Sequence, residues 1–354
     1  MTVHVRPALV IGLLLLPATG VAQITVTTGN AELKVGGYFQ GQLLTSSVDS
    51  YPQTTDLIIR RARLVFDLKL NDFISARFQP SYDVFVAGIQ DAYVRLTFAP
   101  HARLTLGQFK RPFDVFSLTS STQILVIERS GIVPGVGTCE PIGICTYSDL
   151  SEGLRFGARD LGAMLEGSVA DGRVGYAFAV TNGAGITRRE ENGTKSYSGR
   201  LQLALPNNLH VSGQIGVHDF PNEVRGIDDY AAAWAVDVDW GSYERGPHFQ
   251  AGVLSGENWR NLDDNGVPRD FVAVQGIATY KRPIAGEHRV SAIEPVLRVS
   301  VSEMNEGGGD GVLYTPGVVL YFVGRTKLAV NVDVWSPSEG NTDWSLKSQM
   351  YFHF

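Results

Sequence analysis

The chain has 354 residues, is 44% hydrophobic and only 19% charged, and carries a formal net charge of -6. That charged share lies below the roughly 25% usual for soluble domains, and the absence of a basic excess speaks against a nucleic-acid binder. Beyond residue 23 no apolar stretch is long enough for a spanning helix, so a membrane protein with this sequence has to cross with strands closed into a barrel.

The chain opens with MTVHVRPALVIGLLLLPATGVA, in which Arg6 precedes an apolar run from Ala8 to Leu16 and small residues follow at Gly20 and Ala22. This is the layout of an export leader cut after Ala22; the run is too short for a membrane anchor, which takes roughly 20 residues. Residues 23–354 are then expected to form one domain, with a net charge near -7 once Arg6 is gone.

From residue 33 onward a period of two keeps returning. In LKVGGYFQGQLL, Leu33, Val35, Phe39 and Leu43 share a face opposite Lys34, Tyr38, Gln40 and Gln42; in RRARLVFDLKL, Leu64, Phe66, Leu68 and Leu70 oppose Arg61, Arg63, Asp67 and Lys69. SARFQPSY and QDAYVRLTF continue the pattern, with Arg77, Arg95 and Tyr93 on the polar side. SGRLQLAL, LHVSGQIGV, YAAAWAVDVDW, FVAVQGIATY, SAIEPVLRVSV and TKLAVNVDVW follow it later. Segments of about ten alternating residues separated by turns are the mark of a transmembrane barrel. A soluble all-β sandwich also alternates, but full charges at successive inward positions such as Arg61, Arg63 and Lys69 suit a watery lumen better than a dry core. Tyr230, Trp234, Trp240, Trp335, Trp344 and Phe354 gather near strand ends, as interfacial girdles do.

LNDF (70–73), FAPHA (98–102), RDLGA (159–163), LPNNL (205–209) and FVGRT (322–326) read as short turns. Longer loops are expected near 45–56, 183–195, 219–229, 257–270, 303–311 and 336–343. About 17 candidate strands can be marked, and bacterial barrels use even numbers, so the expected fold is an antiparallel barrel of sixteen strands, with eighteen the alternative. Barrels of that size leave an aqueous channel. The segment from about 110 to 151 shows no alternation and is expected to fold inward as a constriction. It holds both cysteines, Cys139 and Cys145, close together in an exported chain, where a local disulfide is expected.

The chain ends LKSQMYFHF, with Phe354, Phe352, Met350 and Leu346 on one face and His353, Tyr351, Gln349 and Lys347 on the other. The run IQDAYVRLTFAPHARLTLGQFKRPFDVFSLTSSTQILVIERS, with Asp91, Ala92, Tyr93, GQFKRPF at 107–113 and Glu128, Arg129, Ser130, resembles the central signature of the phosphate-selective porin O and P family. IRRARLVFDLKL at 59–70, YAFAVTNGAG and SYSGRLQLALP resemble its earlier and middle parts. The resemblance implies a sixteen-stranded homotrimeric channel in the bacterial outer membrane, with basic side chains on an inward loop selecting anions. It also implies that Phe354, with Phe352 and Met350, is read by the barrel-assembly machinery.

Between Leu57 and Arg111 nine basic residues (Arg60, Arg61, Arg63, Lys69, Arg77, Arg95, Arg103, Lys110, Arg111) face four acids (Asp67, Asp72, Asp83, Asp91). With Arg129, all of these basic residues except Arg60 are the candidate anion-binding positions, because a low-dielectric wall focuses such a field and arginine binds phosphate side-on. The acids concentrate later, in the loops that hold Glu223, Asp228, Asp264, Asp270 and Glu303. The expected partners are small anions such as phosphate and outer-membrane lipids, with no cofactor, metal or nucleic acid. A barrel in which basic and acidic residues cancel would be a general porin, or one for oligosaccharides along Tyr38, Tyr82 and Tyr93; a non-conducting adhesin is the third reading. NLDDNG at 261–266 resembles half a calcium loop, but Val272 stands where a bidentate Glu is needed. The histidines show no spacing that supports a Ser/His/Asp triad, so no enzyme is expected.

Overall fold

A computed structural model describes residues 24–47, 55–84, 86–131, 146–190, 192–286, 289–305, 309–322 and 324–354. The expected leader and the Cys139–Cys145 pairing lie outside the described residues. Among the described residues the chain forms seventeen strands. The first half holds β1 (Ile24–Thr28), β2 (Ala31–Ser46), β3 (Asp56–Lys69), β4 (Ile74–Asp83), β5 (Val86–Ala99), β6 (Ala102–Lys110), β7 (Arg159–Val169) and β8 (Val174–Thr181). The second holds β9 (Ser196–Leu205), β10 (Leu209–Asn222), β11 (Ile227–Gly241), β12 (Gly246–Leu262), β13 (Pro268–Pro283), β14 (Ala292–Met304), β15 (Gly311–Tyr321), β16 (Lys327–Pro337) and β17 (Asp343–His353).

Strands β2 to β17 each pair antiparallel with their sequence neighbours, and β17 closes on β2 from Ser345↔Ser46 to His353↔Tyr38. Sixteen strands thus leave no open edge in lipid, as a spanning sheet requires. The short β1 pairs with residues 31–35 of β2, on the edge that β17 meets farther along, so it extends the seam rather than adding a stave. Phe354 completes the closure: its N–H donates to Gly37 O and its carbonyl accepts from Gly37 N. Phe352 and Phe354 face outward, while Lys347, Gln349 and Tyr351 face in and are buried.

Connections at one end are mostly short, at 70–73, 100–101, 170–173 and 206–208, and that end faces the periplasm by the usual asymmetry of such barrels. The expected turn at 159–163 is corrected: these residues begin β7. Gly162 is a glycine because a Cβ there would lie 2.1 Å from Val180 O, a close approach within the sheet rather than a turn. The loops expected at 219–229 and 257–270 also shrink, to 223–226 and 263–267. β10 to β13 run 14 to 17 residues and project past the roughly ten that cross a membrane. Trp234, Trp240 and Trp344 face outward, but Trp335 points inward and is buried.

Candidate functional site

Of the connection from β6 to β7, residues 111–131 and 146–158 fold into the barrel. Small inward residues of the wall make room for this loop. Ala231, Ala233 and Ala235 of β11 and Ala273 of β13 join Leu254, Phe271, Ile277 and Val296 beneath its Phe113, Phe116, Tyr147, Leu150, Leu154 and Phe156. A Cβ on Gly216 would lie 3.1 Å from Phe156, and one on Gly252 3.0 Å from Tyr147. Phe113 stacks on Phe156, and Phe116 meets Tyr147 edge to face. The loop is therefore seated by apolar burial against β10–β14, as a core would be.

Asp114 caps the single helical turn α1 (Val115–Leu118), accepting from Ser117 N at 2.8 Å and Ser117 Oγ at 2.6 Å. At the other end of that turn, Lys110 donates to Ser117 O, and Arg129 donates to Thr119 O and, at 2.9 Å, to Phe116 O. Two cations thus gather on carbonyls at a helix C-terminus. The loop's tip then crosses to the far wall. Tyr38 bonds Ser121 Oγ at 2.7 Å, Gln40 donates to Ser121 O, and Ile127 N donates to Asn331 Oδ1. Arg298 donates to Glu128 O and Arg129 O, and Lys347 to Gly131 O.

Most lumen cations meet carboxylates. Arg60 grips Glu128 side-on, Nε at 2.5 Å and Nη2 at 2.9 Å, and Arg61 reaches the same carboxylate at 3.4 Å while bonding Gln40. Arg63 takes Asp83 and Tyr38; Arg77 takes Asp67 at 2.6 and 2.9 Å; Arg159 takes Asp91 at 2.7 Å. Arg95 and Arg103 share Glu166, at 2.8 and 3.9 Å. Arg298 and Lys347 share Asp333. Burial alone would raise the Glu128 carboxyl, but the charges of Arg60 and Arg61 more than reverse this and hold it at about 2. The loop carboxyls Asp114 and Asp149 move the other way, raised chiefly by burial, with the hydroxyl and amide donors bonded to them pulling back only in part.

Two positions expected to line the channel lie elsewhere. Lys69 is half exposed at the periplasmic turn and pairs with Asp72 at 2.7 Å. Arg111 is wholly buried at the loop's root, donating to Ser198 Oγ, Arg155 O, Tyr197 O and Val217 O. Arg60, absent from the expected set, faces inward because the β2–β3 register slips between Gln40 and Gly41, so that Arg60 and Arg61 both serve the lumen. Strict alternation cannot show this. Arg200, Arg298 and Lys347 sit at inward positions of later strands and were legible by period alone. Tyr82 is exposed on the outer face, so Tyr38, Tyr82 and Tyr93 form no shared track. Ser196 lies 3.0 Å from His218 Nδ1, but Asp219 accepts from the serine rather than backing the imidazole, and all three are buried. That group packs the loop's root and presents no nucleophile to a solute.

Arg77, Arg95, Arg103 and Glu166 on the wall and Glu152 on the loop stay part-exposed. The family model for phosphate-selective porin O and P matches residues 33–229, more than half of the chain. No curated protein matches by sequence. Among solved structures, the outer membrane channel DcaP of Acinetobacter baumannii is 12% identical with a TM-score of 0.66, covering 93% of this chain and 99% of its own. Salmonella typhi OmpF, in complex with daunomycin, is 13% identical with a TM-score of 0.64, covering 94% and 100%. OmpT of Vibrio cholerae, in its trimer form, is 10% identical with a TM-score of 0.58, covering 92% and 100%. At such identities the likeness is one of fold.

Proposed function

We infer, because the chain belongs to the phosphate-selective porin O and P family, that its passage prefers small anions, inorganic phosphate among them. The chain is an outer-membrane channel of a bacterium; its selectivity is the proposal. The observation that carries it is that three lumen carboxylates each serve two cations. Arg60 and Arg61 divide one Glu128, Arg95 and Arg103 one Glu166, and Arg298 and Lys347 one Asp333. Each shared carboxylate leaves about one positive charge, and a low-dielectric wall focuses that field on the passage. Arg77, Arg95 and Arg103 are the more exposed of the candidate positions; Arg61, Arg63 and Arg129 are more deeply buried. The trimer form of the fold neighbour OmpT supports a homotrimer here as well. Residues 1–22 as a leader and Phe354 as an assembly signal belong to the same reading.

The test is the zero-current potential of the purified channel in a planar bilayer under a potassium chloride gradient, followed by added phosphate. An anion-side potential with current reduced by phosphate is expected. A potential at zero or on the cation side overturns the anion preference.

A further inference from the structure

Glu128 fills a two-arginine site where the loop meets the wall. Its two oxygens receive Nε and Nη2 of Arg60 in the side-on geometry that guanidinium offers to any carboxylate or phosphate, with Arg61 adding a third donor. The side chain is 2% exposed, and Arg60 is 16% exposed. The loop's backbone is not held by this grip alone. Asn331, Arg298 and Lys347, on the neighbouring strands β16, β14 and β17, hold the amide of Ile127 and the carbonyls of Glu128, Arg129 and Gly131. The carboxylate can therefore leave its arginines by side-chain rotation while the loop stays seated.

We propose that Arg60 and Arg61 form an anion subsite that Glu128 fills as an intramolecular ligand, and that solute oxyanions enter it by displacing the Glu128 carboxylate. The subsite rests on the reading of the passage as anion-preferring and adds to it a competitor built into the loop. It explains why two arginines are brought inward together by a register slip, where one would suffice for an ion pair. It also makes Glu128 a specificity-determining residue: an anion must offer two oxygens at carboxylate spacing to replace it, which phosphate and carboxylates do and chloride does not.

The experiment measures half-blocking concentrations of inorganic phosphate, with chloride as carrier, for the wild-type channel, Glu128→Gln and Glu128→Asp. Glu128→Asp keeps the net charge but shortens the competitor by one methylene, so it separates displacement from simple field. Both variants are expected to lower the half-blocking concentration, Glu128→Gln by about tenfold, which is about 1.4 kcal/mol, and Glu128→Asp by a smaller factor. Arg60→Gln added to Glu128→Gln is expected to abolish the gain. Unchanged phosphate block in Glu128→Asp and Glu128→Gln, in channels that still show an anion-side potential, overturns the competitor and leaves the anion preference standing. A gain in Glu128→Gln alone reduces Glu128 to a charge and overturns it as well. A cation-side potential in the wild type would instead strike the reading on which the subsite rests.

Discussion

Arg111 shows how a cation in a channel can be a clamp rather than a lure. Its guanidinium spends its donors on a serine hydroxyl and three backbone carbonyls from the loop, β9 and β10, and truncating it strands several buried acceptors. Arg111→Gln is expected to cost about 2–4 kcal/mol of loop seating, read as faster proteolysis within 111–131 and noisier open-channel current; unchanged noise and cleavage would show that apolar packing alone seats the loop. Two loop carboxyls give opposite pH dependences. Glu128 is lowered from 4.5 to about 2, so its contribution is full above 4.5 and is lost as pH falls towards 2. Asp149 is raised by burial; Thr146 donates to it, and Glu152 and Arg298 are the charged groups beside it. Its contribution is full below the ordinary value of 3.8 and is lost as pH rises through the raised one. Current noise is thus expected to be least in mildly acidic solution. Asp149→Asn should flatten the alkaline limb and Glu128→Gln the acid one; limbs that survive both changes would assign the titration to other groups.

At the scale of elements, the strands were legible because lipid and water enforce a period of two, and the loop because it breaks it. What alternation could not carry are the slips. The extra residue at Arg60 changes which side chains face inward and does not announce itself in residue type; at Gly107 the register runs on but the backbone takes a φ of +130°. A Cβ at Gly107 would lie 2.3 Å from Ala92 O, so the position needs both the conformation and the missing side chain. Gly107→Val is expected to block closure of β5 on β6, seen as loss of the heat-modifiable folded band; a normal yield of folded barrel would show that the strands can separate there. The seating of the loop was legible only in hindsight. YAAAWAV reads as strand, but its inward alanines signify a neighbour only once the loop lies on them. The partners of the basic residues were not legible at all, since Glu128 and Glu166 lie far along the chain from the arginines they join.

For the whole molecule, the net charge of -6 and the proposed anion preference are reconciled by where the charges sit. Glu223, Asp228, Asp264, Asp270 and Glu303 are exposed at the end of the barrel from which the loop enters, whereas the paired arginines and lysines lie within. On the proposed anion preference, an anion arriving from outside meets a repelling rim before an attracting interior, and the rim's reach depends on salt. The Debye length is about 10 Å at 0.1 M and about 3 Å at 1 M, so the rim matters only when the dilute solution bathes it. In channels inserted with one orientation, the anion-side potential should be smaller with dilute salt on the outer side than on the periplasmic side. Neutralising Glu223, Asp228 and Asp264 together should remove that difference while leaving the larger value in place, because the interior field is unaltered. Equal potentials in both orientations of the gradient would mean that the rim acids are screened or turned away, and that the lumen alone sets the preference.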